Sequence, residues 1–193
     1  MTVEVHPATA DRFEDLATIL APKNPDTVAC WCLTYRLSSR ENRQLGAHER
    51  PEYVRRLCAQ PIPPGVLAYR DGEVAGWAGV APRSQLHAFA TGARIPLLDD
   101  RPVWSVWCFR VRAGHRRQGT AQALLHGAVD FARAHGAPAI EGYPVDNQGR
   151  RIDAIMAYVG TRSMFEKAGF TKAADTAAVS AGTPRVLMRL ELG

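Results

Sequence analysis

The chain has 193 residues, 46% hydrophobic and 22% charged, a length and composition that suit one soluble domain (1–193) able to bury its own core without cross-links. No apolar run approaches the roughly 20 residues that span a bilayer. The N-terminus, MTVEVHPATADRF, has no basic leader followed by an apolar stretch, so neither membrane association nor a secretory signal is expected and the cytoplasm is the expected location. A formal charge of +5 and a pI near 9.3 favour an anionic partner, but no aromatic-interleaved basic stripe points to nucleic acid.

In chain order, Phe13, Leu16, Ala17 and Leu20 lie at the spacing of one helical face and predict a helix over Pro7 to Leu20, closed by Pro22 and Pro25. The segment PEYVRRLCAQ predicts a short helix with proline in its first turn, stopped by Pro61, Pro63 and Pro64. This helical region is expected to precede any strand. Val66 to Arg70 and Glu73 to Val80 are apolar runs joined by Asp71-Gly72, a dipeptide suited to the positive φ angles of a tight hairpin. An irregular connection over 83–102 leads to VWSVWCFRVR, a β-rich strand over Val103 to Arg112. Leu124, Leu125, Ala128, Phe131 and Ala132 then mark a helix that ends at Gly136 and Pro138. A strand at Ala139 to Tyr143, a polar loop over Asp146 to Ala154 and a capped helix over Thr161 to Ala168 follow. Strands over Phe170 to Val179 and Pro184 to Leu192 complete the chain.

Cys30, Cys32, Cys58 and Cys108 mostly sit in apolar contexts and are expected to be reduced. Neither Cys nor His recurs at the spacing of a second ligand pair beside Cys30-Trp31-Cys32, so no metal site is expected.

The segment AGHRRQGTAQALL carries a strand through a glycine turn into a helix. Unpaired N–H groups at a helix start favour an anion. Gly119 lets the backbone approach a phosphate, Thr120 and Ala121 leave the approach open, and Arg116 and Arg117 can add charge-assisted hydrogen bonds. The glycine-lysine-Ser/Thr ending of a Walker loop and the three glycines of a dinucleotide fingerprint are both absent.

The stretch Val111-Arg112-Ala113-Gly114-His115-Arg116-Arg117-Gln118-Gly119-Thr120-Ala121 resembles the acetyl-CoA loop of the GNAT family of N-acetyltransferases, and Met164-Phe165-Glu166-Lys167-Ala168-Gly169-Phe170 resembles that family's C-terminal aromatic-Glu-x-x-Gly-Phe segment. The resemblance covers residues 66–192 firmly and the N-terminal helices loosely. It implies a mixed α/β (α+β) domain with a splayed, mostly antiparallel sheet of six to seven strands and helices on both faces. Pantetheine would lie between the strand ending at Val111 and the strand Ala139 to Tyr143. By the same resemblance, main-chain groups of Phe109 and Val111 pair with pantetheine, and amides of Arg116, Arg117, Gln118, Gly119, Thr120 and Ala121 hold the pyrophosphate. The Phe109 N–H polarises the thioester. The implied activity is direct acetyl transfer from acetyl-CoA, as co-substrate and without a metal, to a primary amine of a small molecule or peptide. A homodimer is the family's frequent form.

Proton handling is where the sequence departs from that pattern. Where many relatives carry a tyrosine able to protonate the CoA thiolate, this chain has Phe165. Tyr158 is the favoured replacement, with Ser163 a second hydroxyl nearby. Ser105 and Trp107 occupy the slots where some relatives place a base on the strand, so Glu141 on the neighbouring strand is the leading base, acting through water. Asp99, Asp100, Asp146 and His87 are alternatives. The segment Cys30 to Arg36 is either core packing or an acceptor wall. These departures also leave open a catalytically silent acyl-CoA-binding regulatory module.

Overall fold

The computed structural model describes residues 3–90, 93–150 and 156–193. Strand β1 (Val3–Pro7) opens the chain, followed by helices α1 (Phe13–Leu20), α2 (Ser39–Gln44) and α3 (Glu49–Cys58). The β2 (Gly65–Arg70) and β3 (Glu73–Pro82) hairpin comes next, then short helix α4 (His87–Ala90), strand β4 (Trp104–Val111) and helix α5 (Thr120–Ala134). Strand β5 (Ala139–Gly142), helix α6 (Arg162–Lys167) and the strands β6 (Thr171–Ser180) and β7 (Thr183–Glu191) complete the fold. The strands form one seven-stranded sheet in the order β1-β2-β3-β4-β5-β7-β6. Among the described residues, β4 with β5 is the one parallel pairing of strands. This is the mixed, mostly antiparallel α/β architecture expected from the sequence, and the expected hairpin turn has positive φ at both Asp71 (51°) and Gly72 (83°).

The expectation that helices precede any strand is corrected at the N-terminus. Val3–Pro7 pairs antiparallel with β2 as an edge strand, and the helix begins only at Phe13. With Glu4 and His6 alternating against Val3 and Val5, and Pro7 at its end, the segment carries the polar side chains and proline that edge strands tolerate. Val5 packs so closely on α5 that a Cβ at Gly127 would lie 2.3 Å from its Cγ1. Helix α2 was also not foreseen; its Ser38 and Glu41 form a reciprocal capping box. Residues 151–154 of the expected polar loop lie outside the described residues.

Two apolar clusters cover the two faces of the sheet. One gathers α1, Trp77, Trp107, Cys108 and Tyr143; the other gathers the buried stripe of α5 with Val106, Phe109, Phe165 and Phe170. Along β4, Trp104 and Val106 point to the second cluster, Trp107 and Cys108 both to the first, and Phe109 to the second again. Strict alternation forbids two neighbours on one face, so an extra residue must be present. The pairing with β3 shows it: Gly79 faces Cys108 while Val80 faces Val106, leaving Trp107 as a bulge. Trp107 lies flat over Gly79, where a Cβ would stand 2.7 Å from its Cε2.

Candidate active site

Strands β4 and β5 pair only at Trp104 with Ile140, Ser105 with Glu141 and Val106 with Gly142. Beyond Val106 they part, and the sheet opens. On the other edge, the Arg112 N–H donates to the Ala75 carbonyl at 2.9 Å, which makes 112 and 75 a hydrogen-bonded antiparallel pair. Residues 111 and 109 then stand in the intervening pairs, so their N–H and C=O groups turn away from β3 toward the opening. Consistent with that direction, Arg116 Nε donates to the Val111 carbonyl at 3.2 Å.

The opening is a cleft of about 1500 Å³ that runs from the N-terminus of α5, past β4, to the segment around Cys30 and Tyr35. Gly119 enters α5 at φ +81°, and a Cβ there would meet nothing within 4 Å, so its role is conformational. Arg117 also has a positive φ of 58°. Around the turn, Thr120 Oγ1 donates to the His115 carbonyl at 3.0 Å and Arg70 Nη2 to the Gln118 carbonyl at 2.6 Å. These bonds occupy carbonyls and leave N–H groups at the helix start, where the dipole favours an anion. Arg116, Arg117, Gly119, Thr120 and Ala121 line this end of the cleft, together with Phe109 and Val111. Gln118 is the exception among the expected cofactor-binding residues: it is absent from the lining, and its side chain turns back to donate to the Gly114 carbonyl at 2.9 Å.

Tyr158 lines the middle of the cleft, opposite β4. Its hydroxyl lies 3.0 Å from that of Tyr35, which in turn accepts from Arg185 Nη1 at 3.1 Å. Arg185 donates to the Tyr35 oxygen, and within the Tyr35–Tyr158 pair either hydroxyl can donate to the other. Burial, then the bond with Tyr35, pushes the Tyr158 phenol well above its ordinary value, so it stays protonated. Ser163 also lines the cleft, 3.2 Å from the Thr161 hydroxyl. Phe165 is fully buried and lies over Gly142, whose Cβ would stand 2.0 Å from its Cε1. That aromatic is part of the core.

The expectation for Glu141 is corrected. It does not face the opening; it is 0% exposed and clamped between two guanidinium groups. Arg83 Nη1 lies 2.5 Å from one carboxylate oxygen and Arg189 Nη2 2.6 Å from the other, with Tyr143 donating at 3.2 Å. A carboxylate with both oxygens occupied by cations has no free lone pair suited to a water in the cleft. Arg83 also holds the carbonyls of Phe89, Ile95 and Pro96, so the clamp ties the 83–102 connection to β5 and β7. Asp99 is drawn into the same network by Arg189 and Arg101, which hold its carboxyl well below the usual carboxylate range. Asp146 pairs with Arg162 at 3.0 Å. His87 is exposed on α4 and is not among the lining residues, nor is Asp100. Among the described residues the cleft has no carboxylate in its lining.

The Cys30 to Arg36 segment divides between both readings offered by the sequence. Cys30, Cys32, Thr34 and Tyr35 line the cleft, while Trp31 and Leu33 are core, Trp31 stacked on Phe13. The two tryptophans of β4 divide as well: Trp104 packs beneath α5 against Phe131, and Trp107 lines the cleft. Arg185 was missed altogether. Its sequence signal was weak, one of two arginines, with Arg189, in the largely apolar strand PRVLMRL.

A sheet that splits between two parallel strands, beside a glycine turn that presents helix N–H groups, defines an α/β protein with an elongated cleft whose one end favours an anion. The model of the Acetyltransferase (GNAT) family matches residues 31–170, and the chain belongs to that family. Its fold is similar to that of an acetyltransferase of the GNAT family from Streptococcus pneumoniae (15% identity, all of both chains covered, TM-score 0.55). It is similar also to yncA from Salmonella typhimurium, solved with its cofactor acetyl-CoA (18% identity, 100% of this chain and 95% of that one, TM-score 0.56). A third is a ribosomal-protein-alanine N-acetyltransferase from Brucella melitensis (16% identity, 98% and 99% covered, TM-score 0.55). No curated protein sequence matches the chain. Among the described residues no group of His, Cys, Asp and Glu can hold a metal ion, and no helix is long and apolar enough to cross a membrane.

Proposed function

We propose that the protein transfers an acetyl group from acetyl-CoA to a primary amine of a small molecule or peptide, by direct attack within a ternary complex. The observation that carries this reading is the open edge of β4, where the main-chain groups of Phe109 and Val111 turn into the cleft next to the α5 N-terminus. An extended pantetheine completes that edge as a short strand does, and its pyrophosphate meets the amides around Gly119 with Arg116 and Arg117 at hand. The Phe109 N–H donates to the thioester oxygen, where negative charge grows as the amine attacks; one such donor contributes about 3 kcal/mol of barrier lowering. Tyr158, held protonated by burial and lining the cleft, donates its proton to the departing thiolate. Because no carboxylate lines the cleft among the described residues, the amine loses its proton to water.

Calorimetry with acetyl-CoA, followed by a panel of amines with free-thiol release as readout, tests the reading. Wild-type protein is expected to bind acetyl-CoA and turn over at least one amine, and Gly119→Glu to abolish binding by placing a carboxylate in the anion cradle. Tight binding without turnover of any amine would favour a silent acyl-CoA-binding module. Unchanged affinity in Gly119→Glu would overturn the cradle.

A further inference from the structure

The acceptor end of the cleft holds a feature that acetyl transfer does not use. Cys32 and Cys108, 76 residues apart in sequence, bring their Sγ atoms to 3.1 Å, and both line the cleft. Both are free thiols. Two local irregularities bring them together. Trp31 and Cys32 are consecutive residues with positive φ (48° and 55°), a conformation that non-glycine residues rarely adopt, and it turns the Cys32 thiol toward the sheet. The bulge at Trp107 turns the Cys108 thiol to the same face. Trp77 Nε1 donates to Cys32 Sγ at 3.3 Å. The Sγ contact with Cys108 and the Trp77 N–H lower the Cys32 thiol below its ordinary value against the effect of burial, whereas the contact with Cys32 and burial raise Cys108. When one of the pair ionises, the Trp77 N–H that donates to Cys32 Sγ favours the charge on Cys32.

We propose that Cys32 and Cys108 form a dithiol that a small hydroperoxide, entering through the cleft, oxidises to an intramolecular disulfide. The Cys32 thiolate attacks the peroxide oxygen; an S–O bond forms, the O–O bond breaks, and water or an alcohol leaves with a proton. The Cys108 sulfur, losing its proton, then attacks the sulfenic sulfur of Cys32; the S–S bond forms and water leaves. Two thiols lose two electrons in total, and the peroxide gains them. The sulfurs must close from 3.1 Å to roughly 2.05 Å, a shift of about 1 Å. The cross-link pins the Cys30 to Arg36 segment to β4 one residue before Phe109.

Cys58 and Cys30 serve as internal controls. Cys58 is buried away from the cleft, and burial pushes its thiol up to about 11. Cys30 is exposed and lies 3.1 Å from the Thr34 hydroxyl.

The test is to treat reduced, full-length protein with stoichiometric hydrogen peroxide, quench with an alkylating reagent, and map peptides by mass spectrometry. The expected result is a linked Cys32–Cys108 peptide pair, a loss of about 2 Da in the intact mass, Cys30 and Cys58 both alkylated, and reversal by a dithiol reductant. In Cys108→Ser the cross-link disappears and Cys32 accumulates sulfenic or sulfinic acid. Linkage of Cys32 to Cys30, or full alkylation of both Cys32 and Cys108 after peroxide, would overturn the proposal. The readout is the covalent state of wild-type protein, so it depends neither on a variant folding nor on knowing the acceptor amine.

Discussion

Glu141→Gln separates a general base from a structural clamp. In the wild type, Arg83 (6% side-chain exposure) and Arg189 (9%) each place a guanidinium nitrogen within 2.6 Å of this fully buried carboxylate. Glutamine keeps the shape and one accepting oxygen but removes the charge. Arg189 retains Asp99 as a counter-charge, whereas Arg83 retains only carbonyl partners. Removing one partner of a buried pair costs roughly 3–5 kcal/mol, because the remaining ion stays out of water without compensation. The surviving Asp99 contact and the glutamine oxygen put the expected cost near the lower bound, about 3 kcal/mol. For a chain of this length each kcal/mol shifts Tm by roughly 2–4 °C, so Tm is expected to fall by about 6–12 °C. Calorimetric or fluorescence melts measure that fall, and kcat/KM is recorded across pH well below the lowered Tm. If the clamp is structural, the shape of the pH profile is unchanged. A Tm within about 2 °C of wild type, together with a large loss of kcat and of one limb of the profile, would refute the assignment and restore Glu141 as the base.

Tyr158→Phe is expected to lower kcat by about 10²-fold while leaving the KM for acetyl-CoA nearly unchanged, since in the proposed reaction the phenol acts on the leaving thiolate; steady-state kinetics with thiol detection measure both, and an equal rate would make Tyr158 a packing residue. Asp99→Asn tests the surface end of the arginine network. The Asp99 carboxyl is held well below its ordinary value by Arg189 first and Arg101 next, so its contribution is fully present above the unfolded value near 3.9 and is lost as pH falls below it. The fall in Tm on acidification below about pH 4 is therefore expected to be shallower in the variant than in the wild type. Identical slopes would mean that the ion pair adds nothing.

The fold was legible where its signals are local. The Asp71-Gly72 hairpin, the apolar stripe of α5 and the glycine stop of α6 each depend on a few neighbouring residues, and each lies where its spacing predicted. Strand β1 was not legible, because Val3 and Val5 acquire their meaning from the apolar cluster that includes α5, whose Gly127 receives Val5 from more than a hundred residues away. Helix α2 was legible in principle: Ser38 and Glu41 stand at capping-box spacing, inside a polar stretch whose weak apolar periodicity hid them.

The proposed donor half of the site is composed of neighbouring groups for the same reason, since the glycine turn and helix start after Val111 are consecutive backbone. The side chains considered for proton handling take their surroundings from residues that meet them across the sheet. Nothing near Glu141 in sequence announces Arg83 and Arg189, which come from 58 and 48 residues away to neutralise it. A single carboxylate on a strand reads as a base until its cations are found. The bulge at Trp107 acts in the opposite sense. An alternating reading of WSVWCFRV puts Cys108 on the face of Trp104 and Val106, under α5. The extra residue turns it to the other face, against Cys32, so a thiol that alternation would bury becomes part of the cleft wall. One inserted residue therefore decides which side chains line the cleft and which pack the core, and a trace of it in the sequence is the absence of a side chain at Gly79, where the Trp107 ring lies.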